Sequence, residues 1–187
     1  MEVLTLANQL TLLRMLLIPA FVILVIYGHL GWALTMFVTA GVTDGLDGLI
    51  ARWSGQKTSL GAWLDPMADK LLLVTGFIVL TWPGLGLTNR LPIWLTVLVI
   101  SRDVVIVLTV AIVNLAVERR TFRPSIYGKF ATAIYIVTCV AVMYFNFLER
   151  QSLWVDACID ASLAITLISS FHYALGVARV VNDSGPA

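Results

Sequence analysis

Charge is what this sequence has least of. Only 12% of its 187 residues are Asp, Glu, Lys or Arg, against 59% hydrophobic, and its mean hydropathy is +0.93. A water-soluble domain of this size carries roughly twice that share of charge, so the chain is built for apolar surroundings. Its charges nearly cancel to a net +1, and no basic stripe with interleaved aromatics is present, which argues against nucleic acid as a partner. Cysteine is scarce too. Cys139 and Cys158 lie in apolar runs without metal-ligand spacing, so they read as small core residues and not as a disulfide. Linkers, low-complexity tracts and internal repeats are lacking, which leaves residues 1–187 as a single domain. The opening MEVLTLANQLTLLR has no positive start running straight into an apolar stretch and no small-residue cleavage site, so no cleavable signal is expected.

Long apolar runs are what the sequence has in abundance. They fall near 10–28, 31–52, 61–82, 91–116, 126–148 and 153–180, each close to the roughly 20 residues a helix needs to cross hydrocarbon. The expectation is an all-α polytopic membrane protein of six transmembrane helices. Arg52 and Lys57 lie between spans two and three, and Arg119, Arg120 and Arg123 between spans four and five, while the other side offers little beyond Arg90 and Arg150. That asymmetry places both termini in the cytoplasm, here of a bacterial-type inner membrane. Arg14, the segments 44–52 and 65–70, Lys129 and Arg179 then converge on the cytoplasmic half. Arg102 and Asp103 sit deeper and should face the bundle interior. Together these residues predict a cytoplasm-facing polar cavity within the membrane.

The densest polar stretch is DGLDGLIARWSGQKTSLGAWLDPMAD, residues 44–69. Asp44 and Asp47 are spaced to share one helical face, and so are Asp65 and Asp69. Two such pairs facing each other make an all-oxygen pocket that is stable in a low dielectric only around positive charge, and one or two hard divalent cations suit it. The small residues between them let a ligand approach the backbone, and Arg52 can fork onto a phosphate. Pro66 is tolerated most easily in a first helical turn, so the third helix should start only a turn or so before it, with Ser59 as a candidate cap.

Asp44, Asp47, Gly48, Ala51, Arg52, Gly61, Asp65 and Asp69 fill every fixed position of the pattern D-x2-D-G-x2-A-R-x8-G-x3-D-x3-D. In this the chain resembles the CDP-alcohol phosphotransferases. NQLTLLRMLLIP, with Asn8, Thr11, Arg14 and Pro19, and GKFAT, with Gly128, Lys129 and Thr132, are similar to the phosphatidyltransferase branch. The resemblance implies a six-helix membrane enzyme, generally a homodimer, that moves a phosphatidyl group from CDP-diacylglycerol to an alcohol and releases CMP. It implies two divalent cations, Mg or Mn, at Asp44, Asp47 and Asp65, with Asp69 beside them as general base. It also implies a CDP site formed by Asp47, Gly48, Ala51, Arg52, Thr58 and Gly61.

Arg102, Arg123, Lys129 and Arg179 form a candidate cationic ring, which suggests an acceptor that itself bears phosphate. Glycerol 3-phosphate is the leading candidate, since LDPMADKLLL resembles the bacterial phosphatidylglycerophosphate synthases. Phosphatidylglycerol is the alternative, because ISRDV, residues 100–104, resembles cardiolipin synthases of eukaryotic type. Three positions have plainer readings: His172 as a packing residue, and Asp156 and Asp160 as solvated helix-start residues. A cation transporter is a further alternative, but its carboxylates would be spread through the membrane depth in a repeated architecture.

Overall fold

A computed structural model describes the backbone of residues 6–54, 59–116 and 126–183, and the side chains of residues 9, 11–43, 70–109 and 126–176. These residues form α1 (Leu6–Ile26), α2 (Leu30–Ser54), α3 (Ser59–Thr81), α4 (Ile93–Ala116), α5 (Ile126–Phe147) and α6 (Leu153–Asp183), with a single 3-10 turn at Pro83–Leu85 and no strand among them. Each expected apolar run became one helix. Of these, Ile126–Phe147 and Leu153–Gly176 are long and apolar enough to cross a membrane; the apolar lengths Thr11–Ile26, Leu30–Thr43 and Lys70–Thr81 are shorter. The third helix differs from expectation. It begins at Ser59, so Pro66 lies about two turns inside it rather than one. In apolar bundles such prolines are accommodated because neighbouring groups and local adjustments satisfy the freed backbone.

Helices α1 and α2 pair as a hairpin, as do α5 and α6. The α1 hairpin closes at Gly28, whose φ of 76° is the left-handed conformation that a helix-ending turn requires; its N–H reaches Val25 O and that of His29 reaches Leu24 O. Glu149 makes the same reversal after α5 with φ 53°, at the cost of a side chain where glycine is cheaper. Helix α3 packs on α1, α2, α4 and α5, which makes it the centre of the bundle. Gly76 permits this, since a Cβ there would stand 3.1 Å from the Phe37 ring. Around it lie Phe21, Phe37, Leu73, Phe77, Leu80, Leu95, Tyr135 and Met143, all buried.

Polar groups are enclosed rather than displayed. Thr138 Oγ1 and Ser162 Oγ are 2.8 Å apart, and Tyr135 Oη and Thr166 Oγ1 2.6 Å apart, both pairs joining α5 to α6. Asn146 accepts from the Asn89 N–H and donates to the Asn89 carbonyl, both at 2.8 Å, while Asn89 Nδ2 donates to Arg150 O at 2.7 Å. This clasp ties the α3–α4 connection to the end of α5. Meanwhile Leu16, Ile126, Leu153 and Phe171 are at least 69% exposed. Polar residues inside and large apolar residues outside suit a bundle surrounded by lipid, where helices associate through small-residue packing and interhelical hydrogen bonds. Tyr27, Trp32, Trp82, Trp94, Tyr144 and Trp154 are exposed around the end formed by the α1–α2, α3–α4 and α5–α6 connections, as interfacial anchors would be.

Candidate active site

The chain direction sets where the motif falls. Helix α2 starts at the aromatic-ringed end, so Asp44 stands about 21 Å along it at 1.5 Å per residue. Asp44, Asp47, Gly48, Ala51 and Arg52 occupy its far half, and α3 returns from that same end carrying Gly61, Asp65 and Asp69. The two helices pack against each other. Both halves of the motif thus share one end of the bundle, as the sequence predicts. The side chains of these residues and of Arg179 lie outside the described residues, as do Thr58 and Arg123 altogether.

The described part of the site begins one residue further on. Lys70 follows Asp69 and its ammonium pairs with Asp103 Oδ2 of α4. On the other carboxylate oxygen, Arg102 Nη1 donates to Asp103 Oδ1 at 2.7 Å. The same guanidinium donates through Nη2 to Ser169 Oγ of α6. At α5, a Cβ on Gly128 would lie 3.7 Å from Arg102 Nη2, so this glycine sits over the guanidinium; Lys129 beside it is exposed. Four helices therefore meet at Arg102 and Asp103, with Lys70, the residue after the last motif aspartate, contributing the contact from α3. The expectation that these two face the interior holds: their side chains are 8% and 14% exposed.

One nitrogen of Arg102 is left over. Its Nε is buried and has no hydrogen-bond partner among the described residues. A buried donor without a partner is costly, and a ligand that accepts from it removes that cost. Arg14 and Thr11 of α1 are also fully buried; Arg14 stands about 18 Å from the aromatic end, near the level of Asp44.

Lys70 and Ser169 are the residues that reading the sequence did not assign. Lys70 is hidden in the run LDPMADK as a neighbour of Asp69, and Ser169 is one small residue among several on α6. His172 is exposed, with its ring 4.6 Å from that of Tyr127. Asp156 and Asp160 are exposed near the start of α6, and both cysteines are free thiols. An open groove of about 720 Å³, lined by His29, Trp32, Tyr144, Phe147 and Glu149 among others, lies at the aromatic end. It is thus distinct from the polar cavity expected at the motif end.

The model of the CDP-alcohol phosphatidyltransferase family matches residues 4–175, which takes in the motif, the Arg102 cluster and Gly128. This chain belongs to the CDP-alcohol phosphatidyltransferase family. The family is membrane-bound and its enzymes are transferases. The chain is 37% identical to a Mycobacterium tuberculosis protein named "Probable phosphatidylglycerophosphate synthase", over 96% of this chain and 83% of that protein. It is 31% identical to a Homo sapiens protein named "Cardiolipin synthase (CMP-forming)", over 96% of this chain and 64% of that one. A Streptomyces coelicolor protein of the same name is 36% identical over 70% of this chain and 61% of its own length.

The donor set of the motif fits hard divalent ions: four aspartates, carboxylate oxygen only, drawn from two packed helices of one bundle end. Among the described residues no group of three or more His, Cys, Asp or Glu gathers to hold a metal; the side chains of the motif aspartates lie outside them.

Proposed function

We propose that the chain transfers the phosphatidyl group of CDP-diacylglycerol to a hydroxyl of a glycerol-derived acceptor that itself carries phosphate, releasing CMP. The observation that supports this reading is that Lys70, the residue after the last motif aspartate, pairs with Asp103, which also holds a buried Arg102 whose Nε has no partner among the described residues. An arginine held rigidly by Asp103 and Ser169 is a preorganised phosphate donor, and phosphate is what both acceptor candidates offer.

Asp44, Asp47, Asp65 and Asp69 would hold two divalent cations, Mg or Mn, which when bound draw charge from the diphosphate and ease departure of CMP. Arg52 grips the diphosphate, while Asp47, Gly48, Ala51, Thr58 and Gly61 shape the cytidine site. Asp69 takes the proton from the acceptor hydroxyl as its oxygen bonds to phosphorus and the bond to CMP breaks. Arg102, Lys129, Arg123 and Arg179 receive the acceptor phosphate. The donor's acyl chains explain why this machinery is in a membrane, here a bacterial-type inner membrane with cytoplasmic termini and the protein as a homodimer.

Two acceptors fit this reading, each with its own support. Glycerol 3-phosphate is favoured by the likeness to the mycobacterial relative along most of both chains. Phosphatidylglycerol is favoured by Asp103 within ISRDV and by the relatives named cardiolipin synthase. Replacing Asp69 with Asn tests the shared mechanism: CMP release should vanish while CDP-diacylglycerol still binds. An Asp69→Asn protein that turns over at the wild-type rate would place the base elsewhere.

A further inference from the structure

We propose that Tyr173, acting with Ser169, is a positioning residue for Arg102: the two fasten the motif-end half of α4 to α6 and so fix where the guanidinium stands. This rests on the proposed phosphatidyl transfer, in which Arg102 receives the acceptor phosphate. Apolar packing does not fix that half of α4. Leu95, Thr96 and Val99 are buried, but no residue from 100 to 109 is, and Val104, Val105, Val107 and Leu108 are each at least 49% exposed. On α6, too, burial ends at Ser169 among the described residues. Beyond that level polar contacts hold α4, from Lys70 of α3 and from Ser169 and Tyr173 of α6.

Ser162, Thr166, Ser169 and Tyr173 recur every three or four residues, which sets them on one face of α6. The first two pair with Thr138 and Tyr135 of α5. The last two turn to α4: Ser169 Oγ accepts from Arg102 Nη2, and Tyr173 Oη donates to Ile106 O at 3.2 Å. Both bonds span 67 positions, so α4 and α6 run parallel and in register, and the bonds stand one turn, about 6 Å, apart. A single bond lets a helix roll about it. Two bonds a turn apart fix height and roll together, and Arg102 makes one of the two. Tyr173 therefore acts through α4 and not on the substrate. Interhelical bonds of this kind in membranes are worth about three- to tenfold in an equilibrium, which sets the size of the expected effect.

The test is steady-state kinetics on the purified full chain with Mg or Mn, varying CDP-diacylglycerol and then whichever of glycerol 3-phosphate or phosphatidylglycerol the wild type uses. Tyr173→Phe keeps the ring and removes the hydroxyl; it should raise the acceptor KM about three- to tenfold and leave the CDP-diacylglycerol KM unchanged. In an Arg102→Ala background the same substitution should add nothing, because no guanidinium is left to place. Ser169→Ala should follow the same pattern, and it serves as the test if Tyr173→Phe fails to fold. Ser162→Ala, which cuts a bond on the same face of α6 but to α5, should leave both KM values unchanged. An unchanged acceptor KM, equal rises in both KM values, or a rise of the same size with and without Arg102 would make Tyr173 a packing residue; any of these overturns the inference while phosphatidyl transfer stands. Wild-type protein that transfers to neither acceptor would remove the proposed function and this inference with it.

Discussion

Truncating Arg102 to Ala is the perturbation whose consequences the structure defines most fully. The guanidinium holds Asp103 Oδ1 at 2.7 Å, holds Ser169 on α6, and has an Nε without a partner among the described residues. Removing one member of a buried pair costs about 3–5 kcal/mol when the other charge is stranded. Here Asp103 is not stranded, because Lys70, 44% exposed, still holds its second oxygen. The loss of stability should therefore fall to about 1–3 kcal/mol, the range for one buried group left partly unsatisfied. The acceptor loses a hydrogen bond from a charged donor, worth about 1.5–3 kcal/mol, or roughly ten- to hundredfold in KM. CDP-diacylglycerol, which in the proposed reaction is held by the motif on α2 and α3, should lose little. Steady-state kinetics varying each substrate in turn separates the two effects, and thermal unfolding in detergent reports the stability term. Equal rises in both KM values would refute the acceptor role and leave Arg102 as a helix-packing residue.

The remaining predictions concern the clasp and the ions. Asn146→Leu leaves the Asn89 N–H and carbonyl buried without their partner, so it should destabilise by about 2–4 kcal/mol in detergent unfolding; a change below about 0.5 kcal/mol would mean the clasp is not a structural element. Chelation with EDTA should stop CMP release and added Mg or Mn should restore it, whereas full activity in chelator would contradict the divalent-ion reading.

Helix count and placement were legible because the apolar runs are separated by turn formers: Gly28 and His29 after α1, the Pro83 to Pro92 stretch after α3. The face-sharing of Asp44 with Asp47 and of Asp65 with Asp69 was legible for the same local reason, since helical spacing alone sets it. What the sequence hides is pairing between distant helices. Nothing local to Ser169 announces that it accepts from Arg102, 67 positions earlier, and nothing local to Asn146 announces its bonds to Asn89, 57 positions earlier. Lys70 was hidden by its neighbour, because a lysine beside a motif aspartate reads as part of the motif until α4 is packed against it. Pro66 misled for a related reason: the rule that keeps proline to a first turn is written for helices in water, and an apolar bundle relaxes it.

The measurement that bears most directly on the central claim is a lipid product assay by mass spectrometry. Purified protein would receive CDP-diacylglycerol and Mg or Mn, with glycerol 3-phosphate and phosphatidylglycerol in separate tubes. Phosphatidyl transfer predicts a new lipid, phosphatidylglycerophosphate in the first tube or cardiolipin in the second, formed in equal amount with CMP and only when acceptor is present. Intact CDP-diacylglycerol in both tubes, or CMP released without any new phosphatidyl lipid, would contradict it.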